Sequence, residues 1–142
     1  MLRGKVTIPR QFNGVDVIQL RDFSGDQYGH AITHVFFESV EDESLAPVTS
    51  IATNTFQGCS SLVFFDFAAT ELRYINSSAF QRCSLDVDTL NLFDSQIIAL
   101  AGSVFNQGLT SKSVTTLMLP PSLKIIGSSA FTYCSIYAGS TL

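Results

Sequence analysis

The chain has 142 residues and a mass of 15.5 kDa, which is the size of a single domain with a sizeable core. Hydrophobic residues make up 46% and charged residues 14%, a balance that excludes a disordered chain and a charged coiled coil. The net charge of -4, with no Lys/Arg cluster, argues against a nucleic-acid partner. No apolar run reaches the ~18 residues of a membrane-spanning helix, so we expect no membrane insertion. The first residues lack an apolar segment behind their charges, so we expect no signal peptide in this chain.

The amino-terminal segment predicts the end of one repeat followed by a longer, complete one. Val6 and Ile8 are spaced like the end of a strand with one buried face. The next unit begins with an aliphatic pair, Val15 and Ile18, followed by the aromatic residue Phe23. An apolar triplet, Ile32, Val35 and Phe37, completes it. The triplet predicts a short strand.

Four further units repeat this order, with their Phe residues 24 to 26 positions apart. Each has an aliphatic residue five positions before the Phe and a small residue three positions after it: Ile51, Phe56 and Cys59; Ile75, Phe80 and Cys83; Leu100, Phe105 and Gly108; Ile126, Phe131 and Cys134. Apolar triplets follow three of them and predict strands: Leu62, Phe65 and Phe67; Val87, Leu90 and Leu92; Val114, Leu117 and Leu119. The chain reaches Ile136 before another triplet is complete, so we expect partial units at both ends.

A repeat of this kind predicts a solenoid, because one unit cannot cover its own apolar face and only stacked neighbours bury it. An ordinary β-sandwich does not require the same residue type at the same offsets. We therefore predict one solenoid domain over residues 1–142, with about five repeats of 24–26 residues. Its predicted core contains Ile18, Phe23, Ile51, Phe56, Cys59, Ile75, Phe80, Cys83, Leu100, Phe105, Ile126, Phe131 and Cys134.

The repeat resembles the leucine-rich repeat, since Leu62-x-x-Phe65-x-Phe67 followed by Leu72 fits the pattern LxxLxLxxxxL. The segment from Ile126 to Cys134, with its Gly/Ser residues and Ala-Phe pair, is similar to the BspA-type repeats of bacterial and protozoan surface proteins. Four features depart from that pattern: Gly108 replaces Cys, the segment 109–113 is longer than usual, Leu123 comes one residue early, and the first unit contains extra residues.

The resemblance implies a right-handed superhelix with the triplet strands in a parallel sheet on the concave face and turns on the convex face. It also implies a non-catalytic module that binds a protein or glycoprotein, in a cell-surface or extracellular protein. Thr70 and Ser95 occupy the place where leucine-rich repeats usually have Asn or Cys, so we expect them to bond backbone groups after the strand.

The cysteines are expected to pack inside the solenoid, where free Cys behaves as a small apolar residue. A disulfide between Cys59 and Cys83 is the alternative, because adjacent coils lie within bonding range. The Asn76-Ser77-Ser78 sequon is common by chance and matters only in a secreted eukaryotic protein.

A metal site at His30 and His34, with Asp26 and Glu38 nearby, is weakly indicated, because His34 lies in a predicted strand rather than on a helix. We expect no metal, no cofactor and no catalytic residue. The acidic insertion at 38–47, with Glu38, Glu41, Asp42 and Glu43, is predicted to be a solvated loop, and the alternative is a contact loop or a weak Ca²⁺ site.

The outward residues of the strands are the candidate binding residues. Stacked units place them in two columns, His34, Phe64, Thr89 and Thr116 in one and Phe36, Asp66, Asn91 and Met118 in the other. Exposed aromatic residues in neighbouring units, such as Phe36 and Phe64, are typical of partner contacts. Burial of these rings by the acidic loop or by a flanking domain is the alternative.

Three functions follow from the sequence. The first is an adhesion or interaction module that binds a macromolecule through its concave face. The second is a structural spacer in a longer repeat protein, whose open ends associate end to end. The third, an enzyme, is supported only by the two His residues.

Overall fold

The chain winds into a β-solenoid of about four turns built from short parallel strands. The computed structural model describes residues 4–24, 31–42, 44–85, 89–109, 114–134 and 136–141. In chain order the strands are β1 (Gly4–Ile8), β2 (Gln11–Phe12), β3 (Val15–Asp16), β4 (Gln19–Leu20), β5 (Ile32–Phe37), β6 (Ser50–Ile51), β7 (Phe64–Phe65), β8 (Tyr74–Ile75), β9 (Thr89–Asn91), β10 (Ala99–Leu100), β11 (Val114–Met118), β12 (Ile125–Ile126) and β13 (Ile136–Thr141). In the part of the chain that is described, no helix has the length and hydropathy needed to cross a bilayer.

One side of the solenoid, which we call the front face, carries the strands predicted from the apolar triplets. Its strands form two parallel three-stranded sheets, ordered β1-β5-β7 and β13-β11-β9. The triplet strands are parallel, as the resemblance implies, and within the described structure β7 and β9 do not pair, so the front face is divided into two sheets. The chain leaves β7 at Asp66, which has φ -83 and ψ 79, and enters a 3₁₀ turn at Phe67–Ala69. This change of direction opens the front face between the second and third triplets.

The opposite side, the back face, is one five-stranded parallel sheet ordered β12-β10-β8-β6-β4. Its strands are only two residues long and stay in register through the whole solenoid. The register joins one aliphatic residue from each coil, namely Leu20, Ile51, Ile75, Leu100 and Ile126. The back sheet therefore holds the coils together where the front sheet is split.

Two predicted core residues lie outside the core. Ile18 is 58% exposed, and Leu20, which is 3% exposed, takes the place that pairs with Ile51. The aliphatic pair of the first unit is therefore Val17 and Leu20, with the same spacing of three as in later units. Ile126 is 50% exposed because β12 is the outermost strand of the back sheet.

A β-hairpin explains the error in the first unit. The antiparallel strands β2 and β3 meet at Asn13 and Gly14, whose φ values of 51° and 77° are those of a type I′ turn. The hairpin takes up Val15, which pairs with Phe12 and is exposed. It moves the start of the repeat by two residues.

A ladder of stacked phenylalanine rings occupies the core. Phe23, Phe56, Phe80, Phe105 and Phe131 stack in order with ring centroids 5.2, 5.3, 5.6 and 5.4 Å apart. The three central rings are fully buried, whereas Phe23 and Phe131 at the two ends are partly exposed. Rings of the front strands pack edge-on against the ladder, as Phe65 does against Phe80 at 5.2 Å. Offset stacking and edge contacts are both favourable geometries for aromatic pairs.

The polar residues that follow the triplets are buried and bonded to the backbone. The Thr70 hydroxyl donates to the Phe67 carbonyl at 2.9 Å, and the Ser95 hydroxyl donates to the Leu92 carbonyl at 2.6 Å. Both hydroxyl groups therefore satisfy carbonyl oxygens where the chain bends away from the front face.

Candidate binding face

The predicted outward columns lie on the front face and follow the strand register. His34 pairs with Phe64 across β5 and β7, and β9 and β11 pair Thr89 with Thr116 and Asn91 with Met118. The split between the two front sheets interrupts both columns. The side chain of Thr89 lies outside the described part of the structure.

Three aromatic rings meet on the amino-terminal half of this face, and we call them the aromatic patch. His34 stacks on Phe36 at 5.9 Å, and Phe64 lies 5.5 Å from Phe36 and 6.1 Å from His34. All three side chains are half-buried, so part of each ring stays accessible to solvent. With Lys5 and Val63 they line an open depression of about 360 Å³. The patch is a mostly aromatic surface with Lys5 beside it.

A second, smaller pocket, which we call the front cleft, lies at the split between the sheets. Its volume is about 180 Å³, and it is lined by Val63, Phe64, Phe65, Asp66, Phe67, Ala68, Leu85, Leu90 and Asn91. Its walls are mostly apolar, and among the described residues that line it Asp66 alone has an ionisable side chain. Partial burial raises the pKa of the Asp66 carboxyl above 3.8, and the nearby Ala69 N–H partly offsets this rise. The cleft therefore combines aromatic and aliphatic walls with one poorly solvated carboxylate.

The carboxy-terminal half of the face is more polar and more open. Asn91 and Met118 are exposed, whereas Thr116 is half-buried. The Asn91 side-chain oxygen accepts a hydrogen bond from the Phe93 N–H at 2.9 Å, which fixes the turn after β9. Of the predicted columns, the structure thus brings His34, Phe36, Phe64, Asp66 and Asn91 around the two front pockets.

Four residues that line the front face were not predicted from the sequence to do so: Lys5, Val63, Leu85 and Leu90. The signal for Lys5 was present, since it lies one residue before Val6 as His34 lies one before Val35, and β1 pairs Lys5 with His34. The others line the front cleft only because the sheet is split, and the repeat pattern contains no sign of the split.

The acidic insertion is tied to the amino-terminal strand region. The Arg10 N–H donates to the Glu38 carboxylate at 3.0 Å, and the Arg10 guanidinium donates to the Ser44 carbonyl at 3.0 Å. The Ser44 N–H and hydroxyl hold the pKa of the exposed Asp42 carboxyl below 3.8. Glu38 and Asp42, two of the carboxylates considered for Ca²⁺, thus accept hydrogen bonds from the protein, and Glu43 lies outside the described residues.

The described residues contain no cluster of three or more potential metal ligands. His30 and Asp26, which the metal hypothesis also needs, lie outside the described residues. His34 itself belongs to the aromatic patch, where its Nδ1 lies 2.9 Å from the Thr33 hydroxyl.

The three cysteines are free thiols that bond between coils. Cys59, Cys83 and Cys134 donate to the carbonyl oxygens of Phe23, Phe56 and Phe105 at 3.0, 3.2 and 3.0 Å. Burial raises the pKa of Cys59 to about 12 and also raises the pKa values of the other two thiols. Each thiol is therefore protonated at neutral pH and acts as a hydrogen-bond donor rather than a nucleophile.

Gly108 stands where the other units have Cys because the backbone leaves no room for a side chain. A Cβ atom at Gly108 would lie 2.5 Å from the Phe80 carbonyl oxygen, the acceptor that a thiol in this unit would use. The neighbouring Leu109 is fully buried. The departure from the repeat at this position is thus a packing requirement.

The sequon at Asn76 is built into the solenoid. The Asn76 side-chain amide donates to the Ile51 carbonyl at 2.8 Å, which also accepts a hydrogen bond from the Asn76 backbone N–H. Because this amide bonds a neighbouring coil, it is not presented for glycosylation in the folded chain.

The comparison with protein families agrees with the geometry of the coils. The BspA type leucine rich repeat region matches this chain in six copies over residues 36–138. No curated protein and no solved structure matches the chain significantly.

Proposed function

The chain belongs to the BspA-type leucine-rich repeat family, and from that premise we propose that it is an adhesion module whose front face binds a protein or glycoprotein. The family suggests a protein-interaction repeat, is typically non-enzymatic and is usually surface-associated. The front face carries the triplet strands, which the resemblance places on the concave side, and the aromatic patch is the observation that supports the proposal best. Rings held in place by their neighbours lose little conformational entropy on binding, which favours their use as anchors.

The patch carries the argument because its rings are accessible and preorganised at the same time. His34, Phe36 and Phe64 are each half-buried, yet each contacts the other two. Residues at the rim of a protein–protein interface contribute little to affinity, whereas aromatic residues near its centre, where the partner excludes water, contribute most of the binding energy. The patch lies between the edge strand β1 and the split, near the middle of the amino-terminal front sheet.

A surface-binding assay tests this proposal. The purified chain is measured against a panel of matrix glycoproteins and cultured cells, together with a double variant, His34→Ala with Phe36→Ser. We expect saturable binding that the double variant loses at least tenfold, while its circular dichroism spectrum remains that of the folded chain. The matched control is Tyr74→Ser, which removes an exposed aromatic residue of the back sheet and is expected to bind like the wild type. Equal binding by all three proteins would refute the front-face assignment.

A structural spacer remains a second candidate, supported by the outermost strand of the back sheet. Ile126 in β12 is 50% exposed, whereas its register partners Leu100 and Ile75 are 0% and 1% exposed, so a further coil stacked on β12 would bury Ile126 as well. Sedimentation at increasing concentration tests whether a second copy of the chain supplies that coil. Self-association abolished by Ile126→Lys would support the spacer, and a strict monomer would count against it.

A further inference from the structure

The front cleft has the size of one side chain rather than of a small-molecule ligand. Its volume of about 180 Å³ is a little above the ~150 Å³ of a cavity that holds one benzene molecule. Pockets for drug-sized ligands occupy about 300–1,000 Å³. On a face that binds proteins, the natural occupant is therefore a single anchoring side chain of the partner.

The walls of the cleft select the chemistry of that side chain. Phe64, Phe65 and Leu90 offer aromatic and aliphatic contacts, while Asp66 contributes a carboxylate and Asn91 an amide. Apolar walls around one carboxylate fit a side chain with an aliphatic stem and a cationic end. A guanidinium group fits better than an ammonium group, because it stacks on phenyl rings and bonds a carboxylate through two N–H groups.

The carboxylate of Asp66 has no cationic partner within the described structure. Asp66 is half-buried, and none of the described Lys, Arg or His side chains forms an ion pair with it. The nearby Ala69 N–H offsets part of the effect of burial on its pKa, but that N–H donates its hydrogen bond to the Asp66 backbone carbonyl at 3.4 Å. A partly desolvated charge without a counter-ion costs free energy, and a bound cation would remove that cost.

We propose that the front cleft is an anchor pocket for an arginine side chain of the partner, with Asp66 as its counter-ion and Phe64 as its stacking surface. This inference rests on the proposed function, because it names the group by which a partner engages the front face. Phe64 lines both the cleft and the aromatic patch. An arginine in the cleft therefore places the neighbouring residues of the partner on the patch.

The pocket is tested without the natural partner. The ¹⁵N-labelled full chain is titrated with N-acetyl-arginine amide, and the amide chemical shifts are followed. A single anchoring side chain is expected to bind in the millimolar range, about 4 kcal/mol. We expect saturable shifts at Phe64–Asp66 and Leu90–Asn91 and none on the back sheet. Shifts confined to other regions would overturn the proposal.

Matched probes and variants isolate the charge. N-acetyl-citrulline amide, which is neutral and has the same shape, and N-acetyl-lysine amide are each expected to bind at least tenfold more weakly than the arginine probe. Asp66→Asn is expected to weaken arginine binding at least tenfold, whereas Asp16→Asn, which removes one exposed charge from the hairpin, leaves it unchanged. Equal affinity of citrulline and arginine, or full affinity in Asp66→Asn, would refute the counter-ion role. Equal affinity of lysine would refute the assignment to arginine.

The two proposals fail in different ways. If the arginine probe does not bind but the glycoprotein panel binds and the His34→Ala, Phe36→Ser variant does not, the adhesion function stands and the arginine pocket is wrong. If the probe binds at the cleft but no macromolecule does, the pocket stands and the adhesion function is wrong.

Discussion

The stacked phenylalanine ladder makes Phe80 the side chain on which the solenoid depends most, and Phe80→Ala tests this. Phe80 is 0% exposed, and its ring stacks between Phe56 at 5.3 Å and Phe105 at 5.6 Å. It also receives edge contacts from Phe65 at 5.2 Å and Phe67 at 5.4 Å. Replacing a buried Phe with Ala typically lowers the free energy of unfolding by about 3–5 kcal/mol.

We expect a value near the upper end, about 4–5 kcal/mol, because the site cannot collapse. The coils on both sides are held at a fixed spacing by the back sheet, so Phe56 and Phe105 cannot move into the space left by the ring. Each lost aromatic pair adds to the cost of the lost apolar area. A loss of this size is a large fraction of the 5–15 kcal/mol by which domains are usually stable.

Phe131→Ala is the matched control. Phe131 is half-buried, and among the described residues its ring stacks only on Phe105, so we expect a loss of about 2 kcal/mol, roughly half that of a fully buried ring. Urea denaturation followed by circular dichroism gives both free energies of unfolding. Because each coil contacts mainly its neighbours, Phe80→Ala is also expected to lower the urea m-value by uncoupling the two halves. Equal costs at Phe80 and Phe131 would refute the role of the ladder.

Three further predictions concern the first unit, a close coil contact and the cleft. Leu20→Ala is expected to lower the free energy of unfolding by about 2–5 kcal/mol, because Leu20 is buried, and Ile18→Ala by less than about 0.5 kcal/mol, because Ile18 is exposed. Thermal unfolding measures both, and a larger loss in Ile18→Ala would contradict the assignment of Leu20 to the repeat. Gly127→Ala is expected to lower the free energy of unfolding by about 1–3 kcal/mol, because the added Cβ would lie 2.5 Å from the Gly102 nitrogen of the neighbouring coil. An unchanged urea midpoint would contradict this close contact between the coils. Asp66→Asn is expected to raise the melting temperature at pH 7, since the folded pKa of Asp66 lies above 3.8 and its charge therefore opposes folding at higher pH. This gain is expected to disappear as the pH falls through the raised pKa, and a gain that persists in acid would contradict the burial of the charge.

The repeat itself could be predicted from the sequence because its spacing is a direct consequence of stacking. The residues that recur every 24 to 26 positions, such as Phe56, Phe80 and Phe105, are the ones the structure buries against one another. The first unit could have been assigned correctly as well. Asn13-Gly14 is a strong signal for a two-residue hairpin, and recognising it would have released Val15 and Ile18 from the repeat.

The site was less predictable than the core because it depends on a departure from the repeat. The columns of outward residues follow from strand register, which alternation along the chain determines. The front cleft exists because the chain turns at Asp66 and the sheets separate between β7 and β9. Phe67 occupies an apolar triplet position like those of the other units, so nothing in the pattern marks the 3₁₀ turn that begins there.

The central claim is that the front face binds the partner, and hydrogen–deuterium exchange tests it most directly. The chain is exchanged alone and in complex with a glycoprotein captured in the binding panel. We expect slower exchange on the front face, in residues 32–37, 64–66 and 116–118, with no change in the back strands β8 and β10. Protection of the back strands, with the front face unchanged, would contradict it.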